Sequence, residues 1–177
     1  TYHPLIDILV EHFGTSPESL EPLHEQLLAY RESTDGLKEA LLKHNVTSET
    51  AFQQAMASYF ELEYRENFDD IPVVREYTEL IPIRYAKKNI FFPLKKESNT
   101  LEVAITNPEL SQPLDDLARH FKCHIQPILS HKKAVLDLIN RAYDESSAST
   151  EEAVDQLDSD ETYENILAVE EPEDLLD

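Results

Sequence analysis

The side chains best suited to chemistry are seven histidines, one cysteine and 36 carboxylates. His120, Cys123 and His124 form the tightest group. A His pair at i and i+4 can share a zinc ion, but a protein zinc site needs at least a third ligand, and none accompanies this pair. Lys122 and the two imidazoles make surroundings that can lower a thiol pKa. No oxyanion site or third orienting group is marked beside them, so Cys123 reads as a buried structural cysteine at a helix-to-strand junction. His3 and His12 straddle a helix, while His24 and His44 stand alone; these read as surface histidines. Chance pairs are unavoidable among so many carboxylates, and spacing alone cannot raise one pKa above another. No G-x-S-x-G elbow is present. The expectation is no catalytic residue, no metal site and no enzyme.

Glycine usage narrows the field further. Gly14 and Gly36 are the only glycines, 22 positions apart. A phosphate-binding P-loop needs two glycines five apart, and a dinucleotide turn needs G-x-G-x-x-G, so neither can be built here. The net charge is −21, unevenly spread. Thr1 to Tyr143 hold 22 acidic and 15 basic residues, whereas Asp144 to Asp177 hold 14 acidic residues and no Lys or Arg. Without a basic stripe, the electrostatic term that drives nucleic-acid binding is missing. A lone cysteine excludes an internal disulfide and fits a reducing compartment. No apolar run approaches the ~20 residues of a membrane span, and no signal-peptide pattern opens the sequence.

Three kinds of segment must carry these residues. From 5 to 64 the apolar spacing is helical. Leu5, Ile6, Leu9, Val10 and Phe13 form a stripe stopping at Gly14. Ser16 then reads as an N-cap before Pro17, for a helix burying Leu20, Leu23, Leu27 and Leu28. A third stripe, Leu37, Ala40, Leu41 and Leu42, ends at Asn45. Thr47 or Ser48 caps a fourth helix carrying Ala51, Phe52, Ala55, Met56 and Tyr59. The expectation for 1–64 is a four-helix unit of two tandem hairpins. Residues 65–143 read as a small α+β module with helices on one face of a short sheet. Its elements are a short helix from Glu79 to Ala86 interrupted near Pro82, strands Ile90–Leu94 and Leu101–Thr106, a helix with Leu114, Leu117, Ala118 and Phe121, a strand His124–Leu129, and a closing helix through Val135 to Ala142. Residues 144–177 are too charged and too poor in large apolar side chains to fold, which predicts a disordered acidic linker. Within it, Tyr163, Ile166, Leu167 and Val169 suit one transient turn or docking motif.

The α+β segment carries a run of ordered landmarks. They are Leu80-Ile81-Pro82 with Ala86, Ile90-Phe91-Phe92-Pro93-Leu94, Leu101 through Pro108, Leu114-Asp115-Asp116-Leu117, Ile125-Gln126-Pro127-Ile128-Leu129, and a closing Ala142-Tyr143. In order and spacing this run resembles the N-terminal domain shared by bacterial secretion and pilus-assembly ATPases, the GspE/PilB-like family, and is related to the MshEN domain. The resemblance covers nearly the whole chain and is strongest from 76 to 143. It implies a helical domain, an α+β domain and an acidic linker toward an ATPase core that lies outside this chain, with ATP bound only there.

Two roles follow from the resemblance. In type II secretion ATPases, the first helical domain docks on the cytoplasmic domain of an inner-membrane platform protein, the L component. That implies a cytoplasmic protein peripheral to the inner membrane through its partner. In pilus ATPases the same region can bind cyclic di-GMP through two repeats that begin Arg-Leu-Gly, with a second glycine some seven residues on. Here Pro4-Leu5-Ile6 and Gly36-Leu37-Lys38 stand at the starts, and Phe13 and Asn45 near the inner glycines. The leucines that pack survive. The arginines that pair with phosphate and the glycines that let a ligand approach do not. The expectation is therefore partner docking rather than nucleotide sensing. Tyr59, Phe60 and Tyr64 are the candidate partner-binding residues, with packing between the two modules as the alternative role.

Overall fold

The computed structural model describes residues 1–148. Helices α1 (Pro4–His12), α2 (Pro17–Leu20), α3 (His24–Ala29), α4 (Thr34–Lys43) and α5 (Glu49–Phe60) open the chain, with a 3-10 turn at Glu21–Leu23. Strand β1 (Glu63–Tyr64) follows, then α6 (Arg75–Leu80), α7 (Ile83–Asn89), β2 (Phe91–Glu97), β3 (Thr100–Ile105), α8 (Gln112–Phe121), β4 (His124–Leu129) and α9 (Lys132–Ala148). The α+β class expected from the sequence is what is found. The expected acidic linker and the Tyr163 to Val169 motif fall largely or wholly outside the described residues.

Local chemistry sets most helix starts. The Ser48 hydroxyl accepts from Ala51 N at 3.1 Å, and Ser33 accepts from Gly36 N at 3.1 Å, each satisfying an orphan donor of a first turn. Ser16 behaves otherwise: it precedes α2 without capping it, and its hydroxyl donates to the Glu18 carboxylate at 2.6 Å. The single second helix expected there is in fact α2, the 3-10 turn and α3, because Pro22 has no N–H to continue an α-helical ladder. Pro82 likewise splits the expected Glu79–Ala86 helix into α6 and α7.

Helix ends are less ordinary. Gly14 has φ +71°, the left-handed stop its type favours. Asn45, Glu61, Ile90 and Lys122 take the same left-handed conformation after α4, α5, α7 and α8 without being glycine. Such a conformation costs an L-residue roughly 1–2 kcal/mol. At exposed Lys122, φ 53°, the change Lys122→Gly is accordingly expected to raise the unfolding free energy by about 0.5–1 kcal/mol. An unchanged or lowered urea midpoint would contradict this.

The sheet has strand order β1-β4-β3-β2. Strands β2 and β3 form an antiparallel hairpin, β3 pairs parallel with β4 from Thr100↔His124 to Ile105↔Leu129, and β1 adds a short parallel edge, Glu63↔Ile128 and Tyr64↔Leu129. The hairpin is tighter than the sequence suggests: the strands run to Glu97 and from Thr100, leaving Ser98 and Asn99 as the turn, with Ser98 at φ 53°.

Helices do not cover one face alone. Phe91, Phe92 and Leu94 on β2, and Val103, Ala104 and Ile105 on β3, are all buried. Successive strand side chains point to opposite faces, so both faces are covered at that end. Helix α5 packs on β1 and β4, α8 on β4, and α7 and α9 on β2. Leu5, Leu9, Leu27, Leu37, Leu41 and Phe52 join the sheet residues in one contiguous apolar core.

Candidate docking surface

Two sets of polar contacts position the helical segment against the sheet. In the first, Gln53 is fully buried on α5, and its amide nitrogen donates to Thr106 O at 2.9 Å and Ser130 O at 2.7 Å. These carbonyls follow the ends of the parallel strands β3 and β4, where the ladder stops supplying donors. In the second, Glu49, the first residue of α5, accepts from Lys38 Nζ at 3.1 Å and from Lys132 N at the start of α9 at 3.3 Å. Burial raises the Glu49 pKa, but Lys38, the Lys132 amide and His131 together outweigh it and hold the carboxyl below its usual range. The Thr34 hydroxyl also donates to Glu109 at 3.0 Å.

This frame sets the end of α5 beside the start of α1, the chief helix that α5 packs against. Tyr59 emerges there with 41% of its surface exposed, one of only two large hydrophobic side chains so exposed among the described residues. Its ring meets His3 at 5.3 Å and Phe60 edge-on at 4.9 Å. Tyr2, next to His3 in the chain, forms a separate pair with His24, hydrogen-bonded and edge-on. Of the three candidate residues, Tyr59 and Phe60 are thus brought together. Tyr64 lies on β1, half-buried, its hydroxyl donating to Glu66 at 3.0 Å; burial and then the Glu66 carboxylate push its pKa up. Sequence reading missed His3 as a neighbour of the site, because only the α1–α5 packing brings it to Tyr59.

His3 is buried rather than a surface residue. Its Nδ1 accepts from Leu5 N at 3.1 Å and so caps α1. Burial lowers its pKa, with Glu109 opposing. The folded state therefore favours the neutral ring, and the unfolded chain binds the proton first. Stability is fullest above the ordinary histidine range and falls as pH drops through it. His3→Asn keeps a capping oxygen and removes the titration. It is expected to show a smaller drop in urea midpoint between pH 7.5 and pH 5.5; equal drops would remove His3 as the cause.

The other reactive candidates are dispersed. Cys123 is half-buried against the core rather than fully buried, and His120 meets Phe121 edge-on at 4.7 Å. Among the described residues, no three His, Cys, Asp or Glu side chains gather as a metal site. No helix among them is long and apolar enough to cross a membrane.

Residues 47–149, more than half of the chain, match the MshEN domain family. The chain belongs to the MshEN domain family. The segment matched runs from just before α5 through the sheet to the end of α9, and includes every landmark residue that carried the resemblance. The domain is thus of the kind found at the N-terminus of secretion and pilus-assembly ATPases, apart from their catalytic core. No curated protein sequence matches the chain. Solved structures share the fold, among them the following two. MshE with cdg has a TM-score of 0.60 at 21% identity, covering 78% of this chain and 98% of that one. The N-terminal domain of XpsE has a TM-score of 0.56 at 17% identity, covering 77% and 92%.

In this MshEN chain the segments 4–6 and 36–38 are packing sites. Leu5 and Leu37 are fully buried, Ile6 is buried, and Lys38 is engaged with Glu49. The Tyr30 ring lies over Gly36 so closely that a Cβ added there would fall 2.3 Å from it. Asn45 adopts the left-handed conformation at φ 55°, whereas Phe13 has φ −124° and the positive φ falls on Gly14 after it.

Proposed function

We propose that the chain is the docking region of a type II secretion ATPase. Residues 1–64 bind the cytoplasmic domain of an inner-membrane L-type protein, residues 65–143 relay that attachment, and the acidic segment from 144 leads to an ATPase core outside this chain. The observation that carries this reading is exposed Tyr59, held between His3 and Phe60 at the end of α5. Large amphipathic aromatics set in rigid surroundings are the side chains that most often dominate protein interfaces. The protein would then sit in the cytoplasm and reach the membrane only through its partner.

A second reading draws on the shared fold of MshE with cdg: this chain would bind cyclic di-GMP along its helical repeats. The side chains at the repeat starts favour docking instead, since Pro4 and Gly36 offer no guanidinium and Tyr30 roofs Gly36.

The deciding experiment uses the full chain. Immobilised L-type cytoplasmic domain should retain it, and calorimetric titration with cyclic di-GMP should release no binding heat. Micromolar nucleotide binding without retention would replace the first reading by the second. Absence of both would reject the two together.

A further inference from the structure

Helix α1 opens on an imidazole. Nδ1 of buried His3 accepts from Leu5 N at 3.1 Å, which leaves the proton of the neutral ring on Nε2. Helices α4 and α5 are capped in the same manner by the Ser33 and Ser48 hydroxyls, which do not titrate in the physiological range. The His3 cap does. A proton on Nδ1 turns the acceptor into a donor facing the Leu5 donor, and it sets a positive charge at a helix N-terminus, where the dipole disfavours it.

The same ring supports the docking site. It lies 5.3 Å from the Tyr59 ring at an interplanar angle of 60°, and Phe60 is the other ring against Tyr59. Helix α5 presents neutral Tyr59 to His3; its only charged residue, Glu49, stands at the opposite end, and Glu61 is exposed just beyond it. Helix α1 contributes exposed Asp7 in its first turn, and neither helix contains a Lys or Arg. Glu109, from the loop between β3 and α8, attracts a proton to His3 and is itself held by the Thr34 hydroxyl at 3.0 Å. Burial outweighs that attraction, so the ring is neutral near pH 7.

We propose that His3 is a proton switch for docking: neutral, it holds the start of α1 and Tyr59 in the binding arrangement; protonated, it releases Leu5 N, turns toward Glu109 and leaves Tyr59 without its supporting ring. The switch rests on the reading of Tyr59 as the docking anchor. Affinity for the partner is fullest above the ordinary histidine range and falls as pH drops through the folded-state pKa. That value lies below the ordinary 6.5, so one proton on His3 can weaken binding by at most about tenfold between pH 7.5 and pH 5.5. By reciprocity, the bound partner makes His3 harder to protonate by the same factor.

The test measures affinity of the full chain for the immobilised L-type cytoplasmic domain at pH 7.5 and pH 5.5, for the unaltered chain, His3→Asn and His131→Asn. Any titration of the partner itself enters all three alike. The ratio of the two affinities should be at least about twofold, and at most about tenfold, larger for the unaltered chain than for His3→Asn, whose capping oxygen does not titrate. His131 is the control. It caps α9 through the same kind of bond, accepting from Ala134 N at 3.4 Å, but it acts on Glu49, about 15 Å along α5 from Tyr59. His131→Asn should therefore keep the full ratio. Equal ratios for the unaltered chain and His3→Asn, or a ratio flattened as much by His131→Asn, would overturn the switch and leave the docking site standing. No retention of the unaltered chain at pH 7.5 would reject docking itself and the switch with it. In the free chain, proton resonances of the Tyr59 ring and the Leu5 amide should shift with the midpoint of the His3 imidazole. Signals indifferent to that midpoint would also overturn the switch, and this readout stands if His3→Asn folds poorly.

Discussion

Gln53→Leu is expected to lower the unfolding free energy by about 2–4 kcal/mol, because the isosteric apolar side chain leaves two strand-end carbonyls in the interior without a donor. Both carbonyls, Thr106 O and Ser130 O, follow parallel strands whose own ladder has ended, and only the Gln53 amide reaches across from α5 to join them. The Gln53 amide oxygen has no partner among the described residues, so its removal offsets part of the loss. Urea unfolding of the variant beside Gln54→Leu, its half-buried neighbour, separates this effect from a general response to added apolar surface. Equal midpoints for the two variants would show that the bridge contributes nothing.

The second large effect concerns binding. Tyr59→Ala is expected to weaken retention on the L-type cytoplasmic domain by at least roughly 30-fold, the equivalent of ~2 kcal/mol at an interface anchor. The same change should move the unfolding free energy by no more than about 0.5–1 kcal/mol, since Tyr59 is the exposed member of its ring group. Phe60→Ala provides the contrast, because Phe60 packs against the core and its loss should be felt first as lost stability. Undiminished retention by folded Tyr59→Ala would remove the Tyr59 ring group as the docking site.

Much of the architecture was legible because periodicity and caps agreed. Ser48 before α5, the burial of Leu37, Ala40 and Leu41, and the strand runs around Phe91 and Val103 all follow from local rules. What escaped was decided by tertiary contact. Strand β1 has two residues, too few to show alternation, and exists because Leu129 and its neighbours offer an open edge. Helix ends at Glu61, Ile90 and Lys122 carry no glycine signal, since surrounding structure imposes the left-handed turn on ordinary residues. Pro22 and Pro82 were visible, but a proline shows where a ladder is interrupted and not how the chain resumes.

The candidate site was half legible for a similar reason. Tyr59 and Phe60 are adjacent in sequence and their grouping needed no fold. His3 lies more than fifty positions upstream and joins them only once α1 packs on α5. Tyr64 looked like a third member by proximity, yet its strand placement gives it Glu66 as a partner.

The order of the sheet has one more consequence, for self-association. An open strand edge is a template on which another chain can add, and this sheet has two. One is β1, whose two residues give an incoming strand almost nothing to pair with. The other is β2, where Pro93 supplies no N–H and the pairing register shifts before Lys95. Both end strands of the sheet thus offer little to an incoming strand. Replacing Pro93 would remove a guard against aggregation as well as a packing side chain.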